Sequence, residues 1–171
     1  MTAASDKRRS RGRWWLRAIL AAPLLLLCCG GAALIGLIAY DRLLPPTDEV
    51  TLQIELREKT GEAQTVWLAL DDLWGRLEEG QTALCSEETV THPYFVAWRS
   101  VDRAAHPELA ALADQLNSAI RDLHRAADIW TAICQRDETL IPDVEAREAR
   151  TALTRAVERL AAVNEALATL P

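Results

Sequence analysis

Three histidines are the residues of this chain best suited to acid–base or metal chemistry, because imidazole changes its charge near neutral pH. His124 has Asp128 one helical turn later, a spacing that can orient an imidazole or place two metal ligands on one helix face. Such pairs also arise by chance on solvated helix faces. His92 and His106 each precede a proline, a position typical of helix starts. We therefore expect the histidines to be structural.

Known catalytic and cofactor-binding motifs are absent from the sequence. It contains no CxxCH haem motif, no HExxH zinc motif, no phosphate-binding P-loop, no GxGxxG dinucleotide motif and no GxSxG nucleophile motif. The adjacent carboxylates Asp71-Asp72 and Glu87-Glu88 would point apart on a helix, which favours a solvated face over an acid–base pair. We expect no enzymatic activity, no cofactor and no metal.

The four cysteines divide between two environments. Cys28 and Cys29 lie in a long apolar run, where they are most simply small packing residues. Cys85 and Cys134 lie beyond it, each near the end of a predicted helix, and disulfides persist outside the cytoplasm. One disulfide between these two is expected, and closing a loop of about 50 residues would stabilise the fold by roughly 4 kcal/mol. A redox or metal role would need a CxxC pair or clustered His and Cys ligands.

The apolar run covers residues 18–40 and contains no charged side chain. As a helix it would measure roughly 34 Å, enough to cross a hydrocarbon core of about 30 Å. Residues 1–17 hold six basic residues and one acidic residue, a net charge of +5. The positive-inside rule places this tail in the cytoplasm and residues 41–171 outside. We predict a single-pass protein of the cell membrane, with the lipid bilayer as one partner.

Other roles for the apolar run are also possible. A cleaved signal peptide has a shorter run that ends in a small-x-small site, whereas residues 38–40 form a poor cleavage site. Lipidation of Cys28 or Cys29 would favour a small residue before the cysteine, but Leu27 precedes Cys28. The arginines at positions 8 and 9 suggest a twin-arginine signal only weakly. A membrane anchor remains the favoured interpretation.

The predicted membrane helix carries a strip of small side chains. Cys28, Ala32 and Gly36 recur every four residues, and such strips let two helices approach closely in lipid. This strip supports an alternative function, an accessory single-helix subunit of a larger respiratory or photosynthetic membrane complex. Alanine and glycine are also common in membrane helices that have no such role.

The segment after the predicted membrane helix has the apolar spacing of a helical bundle. Apolar residues three and four positions apart predict one helix from residue 63, a long second helix from Pro107 and a final helix from Pro142. A turn at 137–141 would join the last two into an antiparallel hairpin. The fold class is therefore all-α, with one N-terminal transmembrane helix followed by an extracytoplasmic antiparallel bundle of three to four helices over 63–171.

Two features of the bundle sequence are less regular. Residues 50–56 alternate between apolar and polar, which alone favours a strand. Because no second segment alternates as clearly, we interpret 41–62 as a spacer followed by the start of a helix. Gly75 and Gly80 are expected to weaken the first bundle helix without ending it.

A short helix is predicted after the first cysteine of the bundle. Thr91 before His92-Pro93 resembles an N-cap with proline near the first helical position. The helix would continue through an aromatic group to Val101. The members of this group are Tyr94, Phe95 and Trp98.

Charge and aromatic content together indicate the kind of partner. Residues 18–171 hold 13 basic and 24 acidic residues, a net charge of −11, which disfavours binding to nucleic acid or anionic lipid. The aromatic group resembles an interface anchor and is the candidate protein contact. We expect the outer bundle to bind or scaffold another envelope protein. A ligand-binding sensory bundle that acts through a separate transducer is a further alternative, and it would need a pocket between the helices.

Overall fold

The computed structural model describes most of the chain after residue 43, and helices are the regular structure of the described residues. The described residues are 44–86, 88, 90–136 and 142–170, and within them there is no strand. The helices are α1 (Glu49–Glu78), α2 (Ser100–Ala105), α3 (Pro107–Arg136) and α4 (Asp143–Thr169). The prediction of an all-helical bundle is confirmed.

The predicted membrane helix lies outside the described residues. So do the basic tail over 1–17, the strip of Cys28, Ala32 and Gly36, and the turn predicted at 137–141. Among the helices that the structure does describe, none combines the length and the apolar character needed to cross a bilayer.

α1 has a defined signal at each end. It starts directly after Asp48, whose carboxylate accepts a hydrogen bond from the Thr51 N–H at 3.0 Å and satisfies one of the unpaired donors of the first turn. At the other end Gly80 has a φ of 76°. This left-handed residue lets the Gln81 N–H donate to the Arg76 carbonyl at 2.9 Å. The expectation that Gly80 would not end the helix is wrong.

The strand-like alternation of residues 50–56 lies inside α1. Leu52 and Leu56 are buried, whereas Val50 is 63 % and Ile54 is 57 % exposed. Two residues advance the chain by slightly more than half of a turn of about 3.6 residues, so alternate residues lie on opposite sides of the helix. The interpretation of this stretch as a helix start is confirmed. The alternation arises because α1 has apolar residues on two faces.

α3 and α4 form an antiparallel pair. Arg136 at the end of α3 lies 2.6 Å from Glu145 near the start of α4. Further back along α3, Asp122 pairs with Arg159, which lies further along α4. Small side chains line the seam and let the helices approach closely. The buried alanines of the two helices include Ala113, Ala119, Ala126, Ala149, Ala152 and Ala156.

α1 packs against both members of this pair. It runs antiparallel to α4, because Arg57 near its start donates to the Leu167 carbonyl near the end of α4, at 3.2 Å. Further along α1, the Trp67 indole N–H donates to the Leu153 carbonyl, also at 3.2 Å. The three helices share one hydrophobic core. Its fully buried large side chains include Leu56, Leu70, Trp74, Leu116, Ile120, Leu123, Leu153 and Val163.

A segment connects α1 to α2, and its described residues (81–86, 88 and 90–99) lie outside any helix. We call this segment the strap. The short helix predicted from Thr91 to Val101 is wrong, since only Ser100–Ala105 is helical in this part of the chain. Val96 is buried, and its N–H and carbonyl are both bound by the side-chain amide of Asn117 on α3, at 2.8 and 2.9 Å. This long-range pairing satisfies backbone groups that a helix would have used, so it overrides the local N-cap signal.

Candidate functional site

A disulfide fixes the first part of the strap to the end of α3. Cys85 and Cys134 are bonded, with their Cα atoms 5.6 Å apart, as the sequence predicts. The two cysteines are 49 residues apart in the chain, so the bridge closes a loop that contains α2 and most of α3. The strap is therefore covalently held at one end.

Two histidines hold the middle of the strap. The Nε2 atom of His124 on α3 lies 2.8 Å from the Pro93 carbonyl. Because a carbonyl oxygen can only accept, this nitrogen must carry the hydrogen. Asp128 accepts from Nε2 of His92 on the strap at 3.1 Å. His124 and Asp128, whose spacing would allow a pair along α3, each contact the strap instead. The imidazole rings of His92 and His124 meet edge to face, with centroids 5.0 Å apart.

These groups hold structure together and do not assemble a metal centre. Within the described parts of the chain, no cluster of three His, Cys, Asp or Glu side chains could hold a metal ion. The third histidine, His106, directs Nε2 at the Thr47 carbonyl, 3.1 Å away. His124 and His106 thus each bind a backbone carbonyl outside the helices, and His92 on the strap binds Asp128 on α3.

Trp98 connects the strap to α1. Its indole N–H donates to a carboxylate oxygen of Glu55 on α1 at 3.0 Å, and the side chain is half-buried against the core. The strap therefore bridges α1 and α3, with Asn117 as its partner on one side and Glu55 on the other. Of the three aromatic residues in the candidate contact, Trp98 therefore stabilises the bundle itself, through its hydrogen bond to Glu55 and its packing against the core.

Tyr94 and Phe95 are the outward aromatic residues of the strap. Tyr94 is 79 % and Phe95 is 45 % exposed, and the Phe95 ring packs against the His124 ring with centroids 5.0 Å apart. They lie between Pro93 and Val96, whose side chains are buried and whose backbone groups are bound by α3. Because the backbone is held on both sides, this part of the backbone would lose little conformational freedom on binding a partner.

A buried carboxylate fixes the last part of the strap. Asp102 on α2 accepts two hydrogen bonds from the Arg99 guanidinium, at 2.8 and 2.9 Å, and one from the Thr47 N–H at 2.7 Å. The Arg99 hydrogen bonds, helped by those from Thr47 and opposed by burial, lower the pKa of Asp102 from 3.8 to about 2. One charged side chain therefore connects Thr47, which precedes the N-cap residue of α1, to the end of the strap.

Comparison of the chain with protein-family models, with curated proteins and with solved structures finds no match. The geometry of the strap is therefore the basis on which a function can be inferred. Sequence reasoning located Tyr94 and Phe95 from their clustering. It missed Asn117, which positions them, because no local pattern marks an amide that will bind a distant backbone.

Proposed function

We propose that this protein is a non-enzymatic, single-pass membrane protein whose helical bundle binds another envelope protein through Tyr94 and Phe95. The observation that carries the proposal is the attachment of the strap at Pro93 and Val96, on either side of two exposed aromatic side chains. Aromatic residues held in fixed positions are frequent hot spots of protein interfaces. A rigid platform also reduces the entropy lost on association.

The proposed location follows from three features of the chain. The Cys85–Cys134 disulfide supports an extracytoplasmic bundle, because cytosolic thiols are kept reduced. The uncharged run over 18–40 and the basic tail over 1–17 support a membrane anchor with its N-terminus in the cytoplasm. A protease added to the outside of spheroplasts should digest the bundle. Digestion only after lysis would contradict this orientation.

The aromatic contact is tested by photo-crosslinking in native membranes. A photoreactive amino acid replaces Tyr94 in the full chain, and the matched control replaces Val144, an exposed apolar residue on α4. We expect a discrete protein adduct from position 94 that weakens when Phe95→Ala is added. Equal adducts from both positions, or none from position 94, would exclude the strap as the contact.

The same experiment separates the proposal from the accessory-subunit alternative. A combined Cys28→Leu, Ala32→Leu and Gly36→Leu variant changes only the predicted membrane helix. If the adduct from position 94 persists in this variant, the bundle is the binding part. A partner that is lost only in this variant would assign the association to the membrane helix instead.

A further inference from the structure

α1 has a second apolar face that points away from the core. It is formed by Val50, Ile54, Gly61 and Leu68, which we call the outer stripe. Their spacings of four, seven and seven residues follow the helical repeat, so the four positions lie in one narrow arc. Leu68 is 56 % exposed. Like Val50 and Ile54, it lies roughly 120 to 160° around the helix from the buried Leu56. Single exposed apolar residues are ordinary, but an aligned row over about 27 Å of helix resembles a contact surface.

Gly61 lies in the middle of the outer stripe, and no contact with the described part of the bundle requires a glycine at this position. A Cβ atom at this position would meet nothing within 4 Å among the described residues. Glycine inside a helix lowers its stability, so its presence is a cost to the isolated bundle. The missing side chain lets the backbone of another helix come close. Ile54 and Leu68, one heptad before and after Gly61, would pack on either side of such a crossing.

The charges beside the outer stripe complement each other across a two-fold axis. Successive helical residues are about 100° apart, so Arg57 and Glu58 fall on opposite sides of the stripe at nearly the same height. In a parallel pair of identical helices, the flank with Arg57 faces the flank with Glu58 of the other copy. Two reciprocal ion pairs would form. Arg57 is exposed, and its Nη2 donates to the Leu167 carbonyl. A guanidinium carries five N–H donors, so Arg57 keeps donors that can reach Glu58 of a second copy.

We propose that the outer stripe is the interface with a second copy of this chain, in a parallel α1–α1 pair that crosses at Gly61. Identical apolar residues meet along the axis, and Arg57 of each copy pairs with Glu58 of the other. Two copies anchored in one membrane would have the parallel orientation that this charge pattern requires. The surface is separate from the strap, so its test is independent of the proposed contact at Tyr94.

The apolar part of the interface is tested by cysteine crosslinking of the full chain in native membranes. Leu68→Cys places identical thiols next to the two-fold axis, and Val144→Cys is the matched exposed control. Mild oxidation should link the Leu68→Cys chains into a dimer on a non-reducing gel, at least about tenfold more than the control. The native chain gives the background from Cys28 and Cys29. A dimer yield equal to the control, or a link to a different protein, would overturn the proposal.

The charged part is tested by exchanging the two residues in the Leu68→Cys background. Arg57→Glu places two acidic residues opposite each other and should reduce the dimer yield by about tenfold. Adding Glu58→Arg restores opposite charges and should restore the dimer. Rescue by the second substitution would show that Arg57→Glu does not lower the dimer yield by unfolding the bundle. Circular dichroism measures the helix content of each variant as a control for folding. A dimer yield that does not fall with Arg57→Glu, or that is not restored by adding Glu58→Arg, would overturn the parallel pairing.

Discussion

α1 and α3 are both 30 residues long, yet they distribute their apolar residues in different ways. α3 has one apolar face, and all of its large exposed positions are polar. α1 has one face in the core and another, the outer stripe, open to solvent. Two helices of equal length in one bundle therefore differ in how they use their apolar residues. Those of α3 pack in the core, whereas α1 also has apolar residues on its exposed face.

The polar residues of α3 extend this contrast. Asn117, His124 and Asp128 each bind the strap, so the solvent side of α3 is used to position another part of the same chain. The outer face of α1 has apolar residues without an equivalent task in the bundle. A single apolar face on a helix is explained by packing in the core. A second apolar face on the same helix indicates a contact with another molecule as well.

The largest expected effect concerns the role of α3 as the anchor of the strap. Cys85→Ala combined with Cys134→Ala should lower the free energy of unfolding by about 4 kcal/mol, because the unfolded chain loses a constraint on a loop of about 50 residues. Denaturant titration followed by circular dichroism measures the change. The native chain under reducing conditions should match the double variant. A loss below about 1 kcal/mol would mean that the noncovalent contacts suffice to hold the strap.

A matched pair of leucines compares the two helices directly. Leu123 on α3 is fully buried, and Leu68 on α1 is exposed. Leu123→Ala should cost about 3 kcal/mol through lost burial and a cavity. Leu68→Ala should change the free energy of unfolding by less than about 0.5 kcal/mol in the monomer. Similar losses for both would show that the outer stripe is part of the folding core.

Asp102 joins the start of α1 to the region before α3, and its charge makes this link sensitive to acid. The pKa of its carboxyl is 3.8 in the unfolded chain and about 2 in the fold. The folded state therefore favours the charged form. Its contribution, on the order of 1 kcal/mol, is complete above about pH 5 and is lost as the pH falls through the folded pKa of about 2. Asp102→Asn should flatten the decline of stability in this range, and an unchanged decline would assign it to other carboxylates.

The smallest effect is a gain in stability on the outer face of α1. Gly61→Ala should raise the free energy of unfolding by about 0.5 to 1 kcal/mol, since alanine favours the helix and its methyl group has open space. Thermal unfolding of the monomer measures the gain. The same variant should weaken the α1–α1 pair. A loss of monomer stability would mean that Gly61 has a conformational role inside the bundle.

The sequence predicts the helices whose apolar residues share one face. α3 and α4 start where Pro107 and Pro142 indicate, because proline fits the beginning of a helix and the apolar spacing that follows is regular. The disulfide could also be predicted, since Cys85 and Cys134 are the two cysteines of the sequence that follow the apolar run over 18–40. These features depend on local patterns or on simple counting.

The rest depends on contacts between distant residues. Thr91 and Pro93 have the local form of a helix start, but Asn117 and His124 bind the backbone at Val96 and Pro93, which lies outside any helix. Asp128 pairs with a residue 36 positions away in the chain, which no spacing rule reveals. The aromatic residues of the strap could therefore be selected from the sequence. The residues that bind its backbone could be identified only from the structure.

The central claim is that the aromatic surface of the strap is covered by a protein partner in the membrane. It is tested most directly by the maleimide reactivity of Tyr94→Cys in native membranes and in the purified full chain, with Val144→Cys as control and labelled peptides identified by mass spectrometry. We predict slower labelling at position 94 in native membranes than after purification, and equal labelling at position 144 in both. Equal rates at position 94 in the two preparations would contradict the account.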